Sequence, residues 1–334
     1  MNYRPIALTS CICKTVERMV NERLIWFLEK HNFLSKFQAG FRAHRSTLDQ
    51  LVKLESFIRE ALASGDHLVA VFFDLQKAYD TTWKHGILKD MHFLGLRGNL
   101  PAFVKNFLCD RSFLVSFGTI LSDEYEQEEG VPQGAILSTT LFNVKLNNIV
   151  DVLLPGVECS LYVDDFVIHF RSKTINLIER RLQNTIEAIA EWTMKNGFTI
   201  SANKTVAMHF CGRKKCYDPA LDLGKLYGYS PIEFVKEHKF LGLIWDTKLN
   251  FKAHIKYLKL KCYKALNLLK VISHTAWGSD TKTLIKLYKS LILSKLDYGS
   301  IVYMSASKTE LKKLDVVHNQ GLRLCLAAFK SSPV

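Results

Sequence analysis

The order of hydrophobic patterns predicts an α+β protein built on a ferredoxin-like sheet with helices on one face. Three observations carry that expectation. LVAVFFD, Leu68 to Asp74, is a continuous apolar run rich in Val and Phe that ends on an acid, as a strand buried on both faces can. CSLYVDDFVIHF, Cys159 to Phe170, reads as a hairpin whose turn residues are Asp164 and Asp165 or their neighbours. From Thr174 to Lys195, the residues Ile175, Ile178, Leu182, Ile186, Ile189 and Trp192 line one helix face and Gly197 closes it, before the strand-like FTISANKTVAMHF. Strand, helical segment, hairpin, helix and strand, in that order, make a split βαβ sheet.

The flanking elements follow from the same periodicities. Val16, Met19, Val20, Leu24, Phe27 and Leu28 predict a helix over Lys14 to Lys30. A second helix should open at Ser46 or Thr47, with Thr47-x-x-Gln50 as a capping box and Gly65 as its stop. Between them, FQAGFRAHRST reads as a polar, basic connection. Asp80 is expected to cap the turn or helix after Asp74. EFVKEHKFLGLIWD predicts another hairpin. Residues 253 to 330 read as helices, with Leu284, Leu287, Tyr288, Leu291 and Ile292 on one stripe and Lys282, Lys286 and Lys289 on another face.

Of the 334 residues 48% are hydrophobic and 23% charged, which excludes a disordered chain and allows a large core. No apolar run approaches the ~20 residues that span a bilayer, and MNYRPIALTS lacks the order of a signal peptide, so an intracellular protein without a membrane partner is expected. Eight cysteines are scattered without a CxxC pair, which predicts reduced, structural thiols; Cys211 and Cys216 flank a basic patch, Arg213 to Lys215, where a zinc turn, the minor alternative, would need His or Cys partners elsewhere. The net charge of +13 is uneven: residues 1 to 234 hold 27 Lys and Arg against 26 Asp and Glu, and residues 235 to 334 hold 18 against 6. A basic final third points to a polyanionic partner.

Asp164 and Asp165 need an explanation, because adjacent carboxylates among apolar strands repel one another and are costly to bury without a cation or a proton. Adjacent strands lie about 4.8 Å apart, so pairing the strand that ends at Asp74 beside this hairpin would gather three carboxylates. That set suits two Mg²⁺ ions, a place Mn²⁺ also takes, about 3.5 to 4 Å apart for in-line phosphoryl displacement.

FFDLQKAYDTTW (Phe72 to Trp83), GVPQGAILSTTLFN (Gly130 to Asn143), LYVDDF (Leu161 to Phe166), NGFTISANKT (Asn196 to Thr205) and KFLGLIW (Lys239 to Trp245) occur in the order found in reverse transcriptases. With NYRPIALTS and FQAGFRAHRSTLDQ before them, the set resembles the enzymes of non-LTR, LINE-like retrotransposons of the jockey type, from Asn2 to about Tyr303. The resemblance implies a right-hand polymerase: partial fingers over 1 to 66, a ferredoxin-like palm over 67 to 234, a primer-grip hairpin over 235 to 252 and a basic helical thumb over 253 to 334. It assigns metal binding to Asp74 and Asp164, with Asp165 completing the cluster. Tyr79 becomes the gate against a 2′-OH, Gln133 a nucleotide contact, Arg42 and Arg45 the grip on the triphosphate, with Lys36 and His44 as alternatives, and Lys204 the acid for the leaving pyrophosphate. Phe240, Leu241 and Gly242 become the primer grip. Lys256, Lys259, Lys282, Lys286 and Lys289 are candidates to hold template-primer phosphates. Thr139, Asn148 and Val163 depart from the residues common in this group, Pro, Asp and Ala.

The expected activity is therefore RNA-directed DNA synthesis from deoxynucleoside triphosphates on an RNA template and DNA primer. The chain shows no endonuclease-like, RNase H-like or zinc-knuckle segment, so a truncated copy is expected, with other domains of the element missing and nuclear action by analogy with target-primed insertion, a cytoplasmic place being the alternative. A catalytically silent nucleic-acid-binding remnant is the alternative. An intron maturase or RNA-dependent RNA polymerase is a third reading, opposed by the large residue at Tyr79 and by the lack of a further basic domain after Val334.

Overall fold

Helix α1 (Cys11–Lys30) starts at Ser10, whose hydroxyl accepts the Cys13 N–H at 3.1 Å. Its buried line is Glu17, Asn21, Leu24 and Leu28, while Val16 and Met19 of the expected apolar face are exposed. The computed structural model describes residues 6–213, 216–274, 277–329 and 331–333. Helix α2 (Thr47–Ala63) is capped one residue earlier than its sequence suggests: Ser46 N–H donates to Asp49 Oδ2 at 2.7 Å and Asp49 N–H to Ser46 Oγ at 3.3 Å.

Strand β1 (His67–Phe73) is buried at every position. Helices α3 (Lys84–Phe93) and α4 (Asn99–Leu108) follow, then four two-residue strands, β2 (Ser112–Phe113), β3 (Ser116–Phe117), β4 (Ile120–Leu121) and β5 (Tyr125–Glu126). Helix α5 (Ile136–Leu146) is buried along nearly its whole length. Strands β6 (Glu158–Tyr162) and β7 (Asp165–Ser172) form the acidic hairpin, and helix α6 (Ile175–Lys195) leads to β8 (Val206–Phe210) and β9 (Glu233–Phe234). After β10 (Glu237–Phe240) and β11 (Leu243–Asp246) the chain is helical: α7 (Lys252–Ile272), α8 (Thr281–Tyr288), a π turn over Lys289–Leu293, α9 (Ser294–Asp297), α10 (Ser300–Tyr303) and α11 (Lys308–Cys325).

The main sheet has the order β6-β7-β1-β8-β9. β7 pairs antiparallel with both β6 and β1, and β9 joins β8 in parallel. A five-stranded sheet with the acidic hairpin at one edge is the predicted α+β arrangement, and α6 buries Ile178, Leu182, Ile186 and Ile189 in the same core as Val69, Val71, Phe166 and Ile168. No described helix is long and apolar enough to cross a membrane.

Two compact units emerge. The first comprises Met1–Gln50, Asp66–Ala207 and Lys215–Phe234, and holds the sheet core and a second cluster in which Leu24, Leu28, Ile87, Met91, Val104, Leu137 and Leu141 meet. The second comprises Leu51–Gly65, Met208–Lys214 and Val235–Val334. In it α7 buries Ile255, Leu258, Cys262, Leu266 and Leu269, and Gly321 of α11 lets the Tyr288 ring approach so closely that a Cβ there would lie 2.6 Å from the ring. Cys159, Cys262 and Cys325 are the buried free thiols expected. Cys211 and Cys216, five residues apart, are instead disulfide-bonded, which corrects the expectation of reduced thiols for this pair. Lys214 and Lys215 of the basic patch between them lie outside the described residues.

Candidate active site

The three acids converge through strand register. Phe73 pairs with Phe166, so Asp74, the next residue along, comes level with Asp165 at the start of β7. Tyr162 pairs with Asp165, which makes Val163 and Asp164 the two turn residues in place of the acidic pair itself. Only Val163 of these two has positive φ, +61°. Asp74 is fixed by its backbone: its N–H donates to Thr205 Oγ1 at 3.4 Å, and its carbonyl accepts the Ser201 N–H at 2.8 Å. Partial burial, then the charges of Asp164 and Asp74, push the Asp165 carboxyl up to about 6, although that side chain keeps contact with solvent. A cluster that resists full ionisation is one that a divalent cation stabilises. The Lys204 ammonium lies 3.5 Å from Asp74 Oδ2 and supplies part of that charge.

Around the acids, side chains lock one another. The Tyr79 ring stacks on Phe142 with centroids 4.5 Å apart and planes 10° from parallel. Burial and the Asp164 charge raise the Tyr79 phenol, which stays neutral. Asp80 does not cap a helix; its Oδ1 accepts Gln133 Nε2 at 2.6 Å. Gly130, at φ +87°, packs so closely that a Cβ there would lie 2.5 Å from the Asp80 carbonyl oxygen. Val131 N–H donates to the Tyr79 carbonyl at 2.8 Å, which ties the VPQG loop to the segment after β1.

The pattern of one known family, "Reverse transcriptase (RNA-dependent DNA polymerase)", matches residues 1–245. The chain belongs to the reverse transcriptase family. Its relatives include the RNA-directed DNA polymerase from mobile element jockey of Drosophila melanogaster, 29% identical over 333 residues, and the probable RNA-directed DNA polymerase from transposon BS of the same fly, 26% identical over 335. These alignments cover 96% of this chain but 35% and 36% of the relatives, so the chain spans about a third of their length. Among solved structures, a telomerase from Candida Tropicalis in complex with a TWJ fragment of telomeric RNA superposes with a TM-score of 0.49 at 15% identity, covering 94% of this chain and 51% of that one. Reverse transcriptases use divalent metal ions, and Asp74, Asp164 and Asp165 offer the hard oxygen ligands that such ions require.

Not every residue expected at a reverse transcriptase site faces it. Arg42 is a correction: its side chain is 7% exposed and grips Glu29 through two hydrogen bonds of 2.7 and 2.6 Å. Its remaining nitrogen donates to the Ser35 and Gln38 carbonyls at 2.6 and 3.1 Å, so this guanidinium braces the fold and has no open fork for a triphosphate. Arg45 donates to the Lys36 carbonyl at 2.5 Å and stays at the surface. In the second unit, Phe240 and Leu241 are buried, the turn Leu241–Gly242 has φ of +44° and +86°, and the Tyr298 hydroxyl donates to the Leu241 carbonyl at 2.7 Å. Lys256, Lys282, Lys286 and Lys289 are exposed, while Lys259 is half-buried over the Tyr263 ring at 5.6 Å.

Three residues that sequence reasoning passed over tie together the segments around the acidic cluster. Glu17 of α1 accepts the Ile136 N–H at 2.8 Å and so caps α5. Asn143 of α5 donates to the Gly40 carbonyl at 2.7 Å. Gln38, within the connection read as polar and basic, is fully buried. The signal for it was its setting: Phe37, Ala39 and Phe41 enclose Gln38 and Gly40 in a short apolar stretch.

Proposed function

We propose that this chain carries the polymerase site of an RNA-directed DNA polymerase and extends a DNA primer on an RNA template. The observation that carries the reading is the convergence of Asp74, Asp164 and Asp165 at the ends of β1 and the β6–β7 turn, about 90 residues apart in sequence. Two Mg²⁺ ions held by these acids would supply a more acidic primer hydroxyl and neutralise charge on the departing pyrophosphate. The chain's own residues do the rest. Asp74 and Asp164 hold and orient, and Asp165 adds charge to the cluster. The stacked, neutral Tyr79 ring presents a flat wall where a ribose 2′-OH would collide. Gln133, oriented by Asp80, offers its amide to the incoming nucleotide. Lys204, beside Asp74, is placed to give a proton to the leaving group.

Template and primer would be held through phosphates by Lys256, Lys282, Lys286 and Lys289, with Lys259 contributing its stem and charge. The relatives, about three times longer, support a parent element that supplies further domains. Nuclear action rests only on analogy with target-primed insertion. Primer extension on RNA with Mg²⁺, comparing the chain with its Asp164→Ala, Asp165→Ala double variant, tests the reading. Extension by the parent chain alone supports it. Salt-sensitive binding of template-primer without extension supports the silent remnant instead.

A further inference from the structure

We infer that Gln38 is a positioning residue that clamps the turn carrying the catalytic acids, an inference that rests on the polymerase reading of that site. Val163 is β-branched yet sits at φ +61°, a region that such side chains avoid and that persists only when the surroundings over-determine it. A buried amide does so here. Val163 N–H donates to Gln38 Oε1 at 3.2 Å, and Gly40 N–H donates to the same oxygen at 2.9 Å. One amide carbonyl thus joins two backbone segments, and the residue after Val163 is Asp164.

The strap that presents Gln38 is held at several points. Leu161 N–H donates to the Phe37 carbonyl at 3.3 Å and Ala39 N–H to the Leu161 carbonyl at 3.0 Å, which lays the strap parallel to the end of β6. Asn143 holds the Gly40 carbonyl, and Arg42 holds the Ser35 and Gln38 carbonyls. Gly40 leaves no room for a side chain, since a Cβ there would lie 2.4 Å from Val163 Cγ2 and 2.8 Å from Val163 N. Strap and turn therefore fit as one unit.

Chemistry accounts for glutamine here. Its amide is fully buried, and its Nε2 has no hydrogen-bond partner among the described residues. A buried, unsatisfied donor is unfavourable, so an apolar residue of equal length would suit packing better unless the carbonyl has a task. Flipping the amide would aim its NH₂ at two N–H donors, which fixes the oxygen toward Val163 and Gly40.

Three variants separate positioning from packing: Gln38→Met keeps the length and lacks the strong carbonyl acceptor, Gln38→Glu keeps a carbonyl oxygen, and Val163→Gly removes the strained side chain. Amide hydrogen exchange of Val163 and Gly40, Mn²⁺ affinity, and single-nucleotide extension kinetics are the readouts. In Gln38→Met the two amides should exchange at least about tenfold faster, Mn²⁺ should bind several-fold more weakly, and kcat should fall about tenfold with KM for the nucleotide nearly unchanged. Gln38→Glu should restore amide protection, and the Gln38→Met effect on kcat should shrink in the Val163→Gly background. Unchanged exchange and Mn²⁺ binding in folded Gln38→Met would overturn the clamp. So would a parent Val163 amide that exchanges at the rate of a free peptide, a measurement that needs no variant. A parent chain that fails to extend primers defeats the polymerase reading and leaves exchange and Mn²⁺ affinity to decide the clamp.

Discussion

Glu17 Oε2 accepts the Ile136 N–H at 2.8 Å, so a carboxylate 1% exposed on the first helix caps the helix that follows the VPQG loop, 119 residues later. The N-cap residue of that helix, Ala135, makes no side-chain hydrogen bond, which leaves the role to Glu17. Glu17→Ala should cost about 2 kcal/mol, within the range for removal of caps and buried charge-assisted bonds. Thermal unfolding checks this, with Glu17→Gln recovering much of the stability because its amide oxygen still accepts.

Asp165 should make stability depend on pH in a defined direction. Its folded-state value is raised from 3.8 to about 6, so below pH 3.8 both states are protonated and the group has no effect. Between 3.8 and about 6 the unfolded state releases a proton that the folded state keeps, and stability falls as pH rises. Asp165→Asn should therefore raise the Tm of the metal-free chain at pH 7.5, by about 2 °C after allowance for solvent screening, and leave it unchanged near pH 3. Mg²⁺ should narrow the gap by stabilising the parent. An equal rise at both pH values would contradict the assignment.

Tyr79 packs on Phe142, and the proposed function gives it a selective role as well. Tyr79→Ala removes a ring stacked on Phe142 and should cost about 3 kcal/mol of stability. It should also raise ribonucleotide incorporation relative to deoxyribonucleotide by at least about tenfold. Competition between the two nucleotides on one template measures the ratio, and an unchanged ratio would leave Tyr79 as a core residue alone.

Lys282, Lys286 and Lys289 lie exposed at i, i+4 and i+7 spacing along α8 and its π-turn extension. Replacing all three with alanine should weaken template-primer binding for every sequence alike. The slope of log K against log salt should fall by about 1 for each phosphate that is no longer neutralised. Titrations at several salt concentrations test this, and a slope equal to the parent's would remove these lysines from the interface.

The sheet was legible because local patterns encode it. An unbroken apolar strand ending on Asp74, an apolar hairpin interrupted by two acids and an amphipathic helix closed by Gly197 each follow from burial within one short segment. The acids of the cluster were legible for the same reason, since carboxylates among buried residues need an explanation wherever they occur. Arg42 misled because a charged residue in a motif looks the same whether it faces a ligand or a partner, and Asp80, expected as a cap, because a turn acid looks the same whether it caps backbone or holds a side chain: only the fold sets Glu29 against Arg42 and Gln133 against Asp80.

By itself, then, the sequence determined the strand and helix order, the acidic cluster and the basic final third. The tertiary structure decided which residue caps α5, which turn residue adopts positive φ, and that Gln38 holds it. These last depend on hydrogen bonds between groups more than 100 residues apart, as in Glu17 with Ile136 and Gln38 with Val163. Such bonds form only after hydrophobic burial has brought distant segments together, so they leave no periodic trace along the chain.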